Sequence, residues 1–203
     1  MRPMCFWTGT LAKGDFMRGV YLQSDVTEIS AIEWSALREH ELPVLIGALD
    51  DVDVERFEYV SFHAPSKLKD LEEHAVFELL LSLPESWPII VHPDIIITSS
   101  LWTGLGSRLC LENMDNRKSG GRTVAELQVL FDALPEATFC LDVGHARQID
   151  PTMNSAILML RPFGDRLRQT HVSAVGQGDE HSSNGVLAGL AFSRPAAQLP
   201  ATV

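Results

Sequence analysis

The fold of this chain is constrained most by a series of polar residues that close short apolar runs. These residues recur about 20 to 30 positions apart and are His63, His92, Glu112, Asp142 and His171. One strand, one helix and two loops need about 30 residues, since a (β/α)8 barrel of about 250 residues contains eight such units. The spacing therefore predicts repeated β-α units, each with a polar side chain at the end of its strand.

The segments around these residues have the patterns of strands and helices. The predicted strands are Met4–Trp7, Thr27–Ile32, Tyr59–His63, Pro88–His92, Leu109–Glu112, Thr138–Val143 and Gln169–Ser173. Apolar residues at helical spacing predict the helices Leu71–Leu83, Thr123–Leu134 and Asn154–Leu160. Thr123 stands three residues before Glu126, the spacing of a helix-capping box. Strands that alternate with helices predict an α/β fold. We expect one domain, residues 1–203, folded as an incomplete TIM-type barrel of about seven parallel strands.

The composition limits the classes of protein to which this chain can belong. Asp and Glu number 27 against 16 Lys and Arg, and the resulting net charge of −11 disfavours nucleic acids and anionic membranes as partners. No apolar run approaches the roughly 18 residues of a membrane-spanning helix. Cys5, Cys110 and Cys140 lie far apart in apolar surroundings, which is typical of reduced thiols. We therefore expect a cytoplasmic protein.

Imidazoles and carboxylates gather where the predicted strands end. These residues are His63, His92, Glu112, Asp142, His145 and His171, followed in a later loop by Asp179 and His181. Because the C-terminal ends of parallel barrel strands meet on one face, we expect these side chains to line one cleft. They form a ligand set for a divalent ion such as zinc, manganese, iron or cobalt. Each also has a plain structural explanation, such as a histidine bonded to a backbone carbonyl or, for the loop pair, a solvated turn.

Glu112 is the most informative member of this group. It follows the apolar run Leu109–Leu111, where an unpaired buried carboxylate would cost several kcal/mol. We therefore expect it to be paired with other side chains or bound to a metal ion. Asp142 and His145 are three residues apart around Gly144, which allows a tight turn and predicts a joint role.

Six short motifs support a relationship to known proteins. The segments FHAP, VHP, LEN, DVGH, HVS and DEH occur in this order between about Phe6 and Leu199. Together they resemble the xylose isomerase-like TIM-barrel superfamily, which includes sugar isomerases and epimerases and the endonuclease IV family (AP endonuclease family 2). The resemblance implies that Glu112, Asp142 and His171 bind a divalent ion, which could be manganese, zinc, magnesium, cobalt or iron.

The resemblance also indicates where this chain differs from the family. In endonuclease IV-like members, a multi-metal site is completed by the equivalents of His63, His92, His145, Asp179 and His181. The family barrel closes with an eighth strand that ends in a second glutamate. We predict no eighth strand after His171 and expect a chain truncated at its C-terminal end relative to the family. A homo-oligomer could then cover the open barrel edge.

We consider three functions. The first is a metal-dependent isomerase or epimerase of a small sugar or polyol, which transfers a proton through an enediolate, with Glu112 and His145 as catalytic residues. Its carbohydrate substrate could contact Trp7 and Trp102, for which the alternative explanation is that of buried structural tryptophans. The predicted substrate-binding residues also include Lys67, which could touch a phosphate or carboxylate.

The second function is an endonuclease IV-like metal-dependent phosphodiesterase. The large histidine set favours it, and the net charge of −11 disfavours it. Arg117, Lys118 and Arg122, which follow Glu112, could meet a phosphate or form an ordinary solvated loop. The third function is that of a degenerate metal-binding barrel without enzymatic activity.

Overall fold

The structure is a computed structural model, and it describes most of the 203-residue chain. The described residues are 7–11, 31–36, 38–51, 54–55, 57–172, 174–175 and 181–182. Among them, no helix is long and apolar enough to cross a membrane.

A parallel sheet forms the centre of the molecule. Its strands are β1 (Trp7–Leu11), β2 (Ala31–Ser35), β3 (Tyr59–His63), β4 (Ile89–Val91), β5 (Leu109–Glu112), β6 (Thr138–Asp142) and β7 (Leu167–His171). The strands β2 to β7 are hydrogen-bonded in chain order, and β1 pairs in parallel with β2. Two further strands, β8 (Ala174–Val175) and β9 (His181–Ser182), form an antiparallel pair. The predicted α/β class and parallel sheet are confirmed.

Helices and short 3-10 turns connect the strands. The helices are α1 (Glu41–Gly47), α2 (Glu73–Leu81), α3 (Ser99–Trp102), α4 (Val124–Ala133), α5 (Val143–Ile149) and α6 (Asn154–Phe163). The 3-10 turns are Leu49–Asp51, Pro93–Ile95, Thr103–Arg108 and Gly164–Arg166. The predicted cap of α4 is confirmed, because the Glu126 backbone N–H donates to Thr123 Oγ1 at 3.2 Å. The Glu126 side chain instead accepts from the Arg122 backbone N–H at 2.7 Å, one residue before the position of a capping box.

The sheet is curled into part of a barrel. His171 on β7 lies 2.9 Å from Glu33 on β2, although four strands separate β2 and β7 within the sheet. Such a contact requires the sheet to bend so that its two sides face each other across a concave interior. The interior therefore receives one side-chain row of each strand, and the helix-covered face receives the other.

The two rows differ in chemistry. The helix-covered row is apolar and forms the main core, which includes Ile32, Trp34, Phe62, Leu111 and Phe139. In that core, Phe163 of α6 packs against Phe131 of α4 with ring centroids 4.5 Å apart. The interior row has a small apolar cluster of Ile90, Cys110 and Cys140. Two residues further along those strands come His92, Glu112 and Asp142, so polar side chains occupy the C-terminal end of the interior.

The strand predictions differ in accuracy along the chain. The predictions Tyr59–His63 and Leu109–Glu112 are confirmed at both ends. The predictions Met4–Trp7 and Thr27–Ile32 lie mostly outside the described residues, and their C-terminal ends are too early, because β1 ends at Leu11 and β2 ends at Ser35. In β2 the alternating residues Glu33 and Ser35 face the interior, so the strand continues beyond the apolar run on which the prediction relied.

The last strand of the sheet also departs from its prediction. The predicted strand Gln169–Ser173 begins two residues late, because β7 spans Leu167–His171. Leu167 pairs with Phe139 of β6 although it is only half-buried, and the register between β6 and β7 then shifts, so that Cys140 pairs with Gln169. Burial pattern therefore does not mark where this strand begins.

Candidate metal centre

Glu112 lies at the centre of a cluster of histidines. Its side chain is 1 % exposed and stands at the C-terminal end of β5. Oε2 lies 3.1 Å from Nε2 of His63 and 3.1 Å from Nε2 of His92. Oε1 lies 2.8 Å from His171 Nδ1 and 3.8 Å from His145 Nδ1. The two oxygens of one carboxylate thus face two different sets of imidazoles.

Neighbouring backbone carbonyls fix the proton positions on two of these rings. A carbonyl oxygen can only accept a hydrogen bond, so the nitrogen beside it must donate. His63 Nδ1 donates to Ala64 O at 2.7 Å, and His145 Nδ1 donates to Asn113 O at 2.8 Å. A neutral His63 therefore points the lone pair of Nε2 at the Glu112 carboxylate. That contact is favourable only when a proton or a metal ion lies between the two atoms.

The other two imidazoles differ in their surroundings. His92 is buried, and its Nδ1 makes no hydrogen bond within the described residues, with Asp94 Oδ1 3.9 Å away. His171 is held between two carboxylates, because Nδ1 faces Glu112 and Nε2 faces Glu33. The unpaired nitrogen of His92 and the position of His171 between two carboxylates both fit a site that binds a cation.

Asn113 ties the ends of β5 and β6 together. Its side-chain amide donates to Asp142 O at 2.9 Å, and its carbonyl Oδ1 accepts from the Asp142 backbone N–H at 2.7 Å. Asp142 Oδ1 in turn accepts from the His145 backbone N–H at 2.6 Å, which caps α5. This arrangement explains why Asp142 and His145 stand together at the strand exit, as the LDVGH segment predicts.

The electrostatics of the cluster follow from burial opposed by ion pairing. Burial acts to raise the pKa of the Glu112 carboxyl, but the hydrogen bonds and charge of His171, with those of His63 and His92, hold this pKa well below its ordinary value. Burial acts to lower the pKa of His171, but Glu33 and Glu112 raise it well above its ordinary value. In the metal-free protein, protons therefore occupy positions that a cation would otherwise take.

Burial dominates at two other members of the cluster. It lowers the pKa of His92 despite the nearby Glu112, and it raises the pKa of Asp142 despite the nearby His145. Both shifts favour the uncharged form. A nearby cation would favour the charged form of the Asp142 carboxyl. It would also give the lone pair of a neutral His92 ring a partner.

Three sets of ligand atoms in the cluster could hold a metal ion. Each set has its atoms within 4.8 Å of one another, and all three sets contain Glu112. The sets are His63, His92 and Glu112; Glu112, Cys140 and His171; and Glu112, Asp142 and His145. Nitrogen and carboxylate donors in this number suit a borderline divalent ion. The residues present therefore fit the predicted metal ion.

The structure brings together six of the residues predicted as ligands, and their role as ligands stays a prediction. They are His63, His92, Glu112, Asp142, His145 and His171. Asp179 and the side chain of His181 lie outside the described residues. The catalytic roles predicted for Glu112 and His145 stay predictions.

The predicted substrate-binding residues lie in different surroundings. Trp102 is fully buried on the helix-covered side, where its Nε1 donates to Glu73 Oε1 at 2.7 Å and its ring packs against Phe77. Lys67 is exposed in the loop after β3. The side chain of Trp7 lies outside the described residues. None of the described contacts brings Trp102 or Lys67 to Glu112.

The basic loop that follows Glu112 is paired with acidic groups. Arg117 forms an ion pair with Asp115, and Arg122 forms one with Glu126. Lys118 Nζ donates to Asp94 Oδ2 and to Ser66 O, each at 2.7 Å. The loop thus links the segments that follow β3, β4 and β5.

One glycine gives this loop its shape. Gly121 accepts from the Met114 backbone N–H at 2.8 Å and has a φ of +77°. A Cβ atom at this position would lie 2.7 Å from Pro93 Cγ. Only glycine meets both the left-handed backbone and the close approach to Pro93.

Sequence reasoning missed three residues of the cluster. Glu33 contacts His171, Asp115 Oδ2 lies 3.7 Å from His145 Nε2, and Cys140 is a member of one ligand set. Glu33 stands between the apolar residues Ile32 and Trp34, so the burial argument applied to Glu112 would have identified it. No sequence signal distinguishes Asp115 from an ordinary loop residue.

No protein-family model matches this chain, and no curated protein matches it. Membership of the xylose isomerase-like superfamily therefore stays a prediction that rests on the six motifs.

Proposed function

We propose that this protein is a divalent-metal-dependent hydrolase that acts on a small phosphate ester. The observation that carries the proposal is the division of Glu112 between two sets of imidazoles, with His63 and His92 at Oε2 and His171 at Oε1. A carboxylate in this position is suited to bridge two ions. Two-ion centres recur in phosphatases and nucleases, and the resemblance to endonuclease IV-like proteins agrees with that chemistry.

The donor atoms favour particular ions. Imidazole nitrogen suits zinc, iron and related transition metals, whereas magnesium prefers sites made of oxygen atoms and water. We therefore expect zinc, cobalt, iron or manganese rather than magnesium. Ions held there would polarise phosphate oxygens and lower the pKa of a water molecule.

Glu112 is better suited to hold ions than to transfer protons. Both of its oxygens face imidazoles, and its pKa is held well below the ordinary value despite its burial. A weakly basic carboxylate is a poor proton acceptor. This weighs against an isomerase in which Glu112 is the base, and hydrolysis makes no such demand on it.

The small size that we propose for the substrate follows from charge. The protein has a net charge of −11, which repels the phosphate backbone of a nucleic acid. Arg117, Lys118 and Arg122 each pair with a carboxylate. A compact phosphate ester could instead be bound by the ions themselves.

The paired state of these three cations also favours a second candidate function. A neutral sugar or polyol needs no cation for recognition, so an isomerase or epimerase fits the same loop. In that case, we propose His145 as the proton-transfer group, because a neutral ring whose Nδ1 donates to Asn113 O carries its lone pair on Nε2, 3.7 Å from Asp115 Oδ2.

The test uses the full chain, loaded in turn with zinc, cobalt and manganese. We expect hydrolysis of p-nitrophenyl phosphate or bis(p-nitrophenyl) phosphate and no solvent deuterium in a panel of ketoses. Loss of a residue that hydrogen-bonds a metal ligand typically lowers metal affinity or activity by roughly 10- to 100-fold. We expect Glu112→Gln to lower the activity by more than this. The matched control is His74→Gln, because His74 is exposed and pairs only with Glu78 among the described ion pairs.

The outcomes separate the candidate functions. Deuterium incorporation without phosphate release would replace the hydrolase by the isomerase. Bound ions with neither activity would favour a metal-binding protein without catalysis. A protein that binds none of the three ions would contradict both enzymatic candidates.

A further inference from the structure

Glu33 on β2 joins the cluster by hydrogen bonds to its neighbours His171, Gln169 and Ser35, and not by contact with the Glu112 carboxylate. His171 Nε2 lies 2.9 Å from Glu33 Oε2, and the Gln169 side-chain amide also donates to Oε2. Ser35 Oγ donates to Glu33 Oε1 at 3.3 Å. Glu33 is buried. The Ser35 hydroxyl and the Gln169 amide point donors at it, and His171 Nε2 can make a favourable contact with its carboxylate only as a donor. The position therefore requires a group that only accepts, which a carboxylate is.

Gln169 cannot exchange roles with Glu33. The phenol of Tyr59 donates to Gln169 Oε1 at 2.8 Å, which directs the amide nitrogen of Gln169 toward Glu33 and His171. That nitrogen lies 2.8 Å from His171 Nε2. If Glu33 did not accept from Nε2, the Gln169 amide could donate to it, and the hydrogen of a neutral His171 would move to Nδ1.

The position of this hydrogen matters because Nδ1 is the nitrogen that faces Glu112. A metal ion binds the nitrogen that carries a lone pair, and the other nitrogen must then carry the hydrogen. Building on the proposed function, we propose that Glu33 is a positioning residue for the metal centre, which holds the hydrogen of His171 on Nε2 and so presents Nδ1 to the ion. Glu33 itself is not a ligand in this arrangement.

The test measures binding of Zn²⁺ and Co²⁺ to the full-length protein and to single variants. Glu33→Gln puts a donor where three donors already converge, so we expect the ion on the His171 side of Glu112 to bind about 10- to 100-fold more weakly. The ion on the side of His63 and His92 should keep its affinity. The visible absorption of bound Co²⁺, which reports its ligand geometry, should change for the weakened site alone.

Two further variants separate positioning from stability. Glu33→Asp keeps an acceptor-only group one methylene shorter, so we expect it to restore most of the affinity even where its thermal stability is as low as that of Glu33→Gln. Ser61→Ala is the matched control, because Ser61 is fully buried on β3 and its hydroxyl makes no hydrogen bond within the described residues. It should bind both ions as the unaltered protein does.

Each remaining outcome overturns a defined part of the proposal. Unaltered affinity and an unaltered Co²⁺ spectrum in Glu33→Gln would show that Glu33 does not position His171, while metal binding and the proposed function would stand. Equal losses in Glu33→Gln and Glu33→Asp that follow thermal stability would reduce Glu33 to a structural role. Absence of binding in the unaltered protein would overturn the proposed function and this inference with it.

Discussion

At the scale of single residues, histidines of the cluster favour the protonated form at the positions where we propose that metal ions bind. Burial acts to lower the pKa of His171 and His63, but the carboxylates of Glu33 and Glu112 raise the pKa of both above the ordinary value of 6.5. A cation that takes a ring nitrogen must displace such a proton. Metal affinity and the stability of the metal-free protein should therefore depend on pH in opposite directions.

We expect the chelator-treated protein to lose stability as the pH rises above about 6.5. A histidine whose folded-state pKa is raised contributes its full stabilisation below the unfolded pKa and loses it as the pH passes the folded pKa. Over the same interval, the affinity for Zn²⁺ should increase. Urea midpoints and zinc titrations at several pH values measure the two trends.

The control for this pH dependence is His74→Gln, an exposed site that should leave both trends unchanged. His171→Asn should flatten the loss of stability above pH 6.5, because it removes the group whose pKa is raised most clearly by Glu33 and Glu112. An equal slope in His171→Asn and in the unaltered protein would contradict the assignment to His171.

Residue identity predicted part of this cluster and missed another part for physical reasons. Strand-end residues such as His63 and Asp142 were predictable because parallel strands deliver their C-terminal side chains to one face. Glu33 lies within a strand, and its contact with His171 exists only because the sheet curls far enough to bring β2 to β7. The position of Glu33 between two apolar residues could have indicated its burial, but not its contact with His171, because a pattern along the chain carries no measure of that curvature.

At the scale of elements, carboxylates that accept several hydrogen bonds attach loops to the helices beside them. Glu73 at the start of α2 accepts from the backbone N–H groups of Ile97 and Thr98 and from Trp102 Nε1. Glu39 likewise accepts from backbone N–H groups of Lys69, Asp70 and Leu71. These contacts hold irregular segments without using an apolar core.

We predict that Glu73→Ala destabilises the protein by about 1–3 kcal/mol, because the buried indole N–H of Trp102 would lose its acceptor. Chemical denaturation measures the change in the free energy of unfolding. Glu72→Ala is the matched control, because the exposed Glu72 side chain makes no capping hydrogen bond. Equal stability of the two variants would show that the Glu73 contacts contribute nothing.

The strands were predictable where a polar residue after an apolar run indicates where they end. The strands β3 and β5 both end in a polar residue after a mainly apolar run, which Ser61 interrupts in β3, and both were predicted correctly. The start of β7 carries no such mark, since Leu167 and Arg168 follow the 3-10 turn Gly164–Arg166 directly. Its pairing with β6 is set by tertiary register, which local pattern does not encode.

At the scale of the whole molecule, the cluster collects side chains from separate strands of the sheet. His63 ends β3, Glu112 ends β5, Asp142 ends β6 and His171 ends β7. His92 comes directly after β4. These residues are distant along the chain and meet only in the folded state. An ion bound among them would therefore oppose global unfolding rather than the opening of a single loop.

We predict that Zn²⁺ at 100 times its dissociation constant stabilises the protein by about 2.7 kcal/mol for each ion that binds the native state alone. Thermal and urea unfolding with and without chelator measure this shift. Glu112→Gln should abolish it, because every ligand set in the described part of the chain contains Glu112. Glu73→Ala should lower the stability yet keep the shift, since Glu73 is not in any of those sets. Identical unfolding with and without Zn²⁺ would mean that the protonated cluster, and not an ion, holds these strands together.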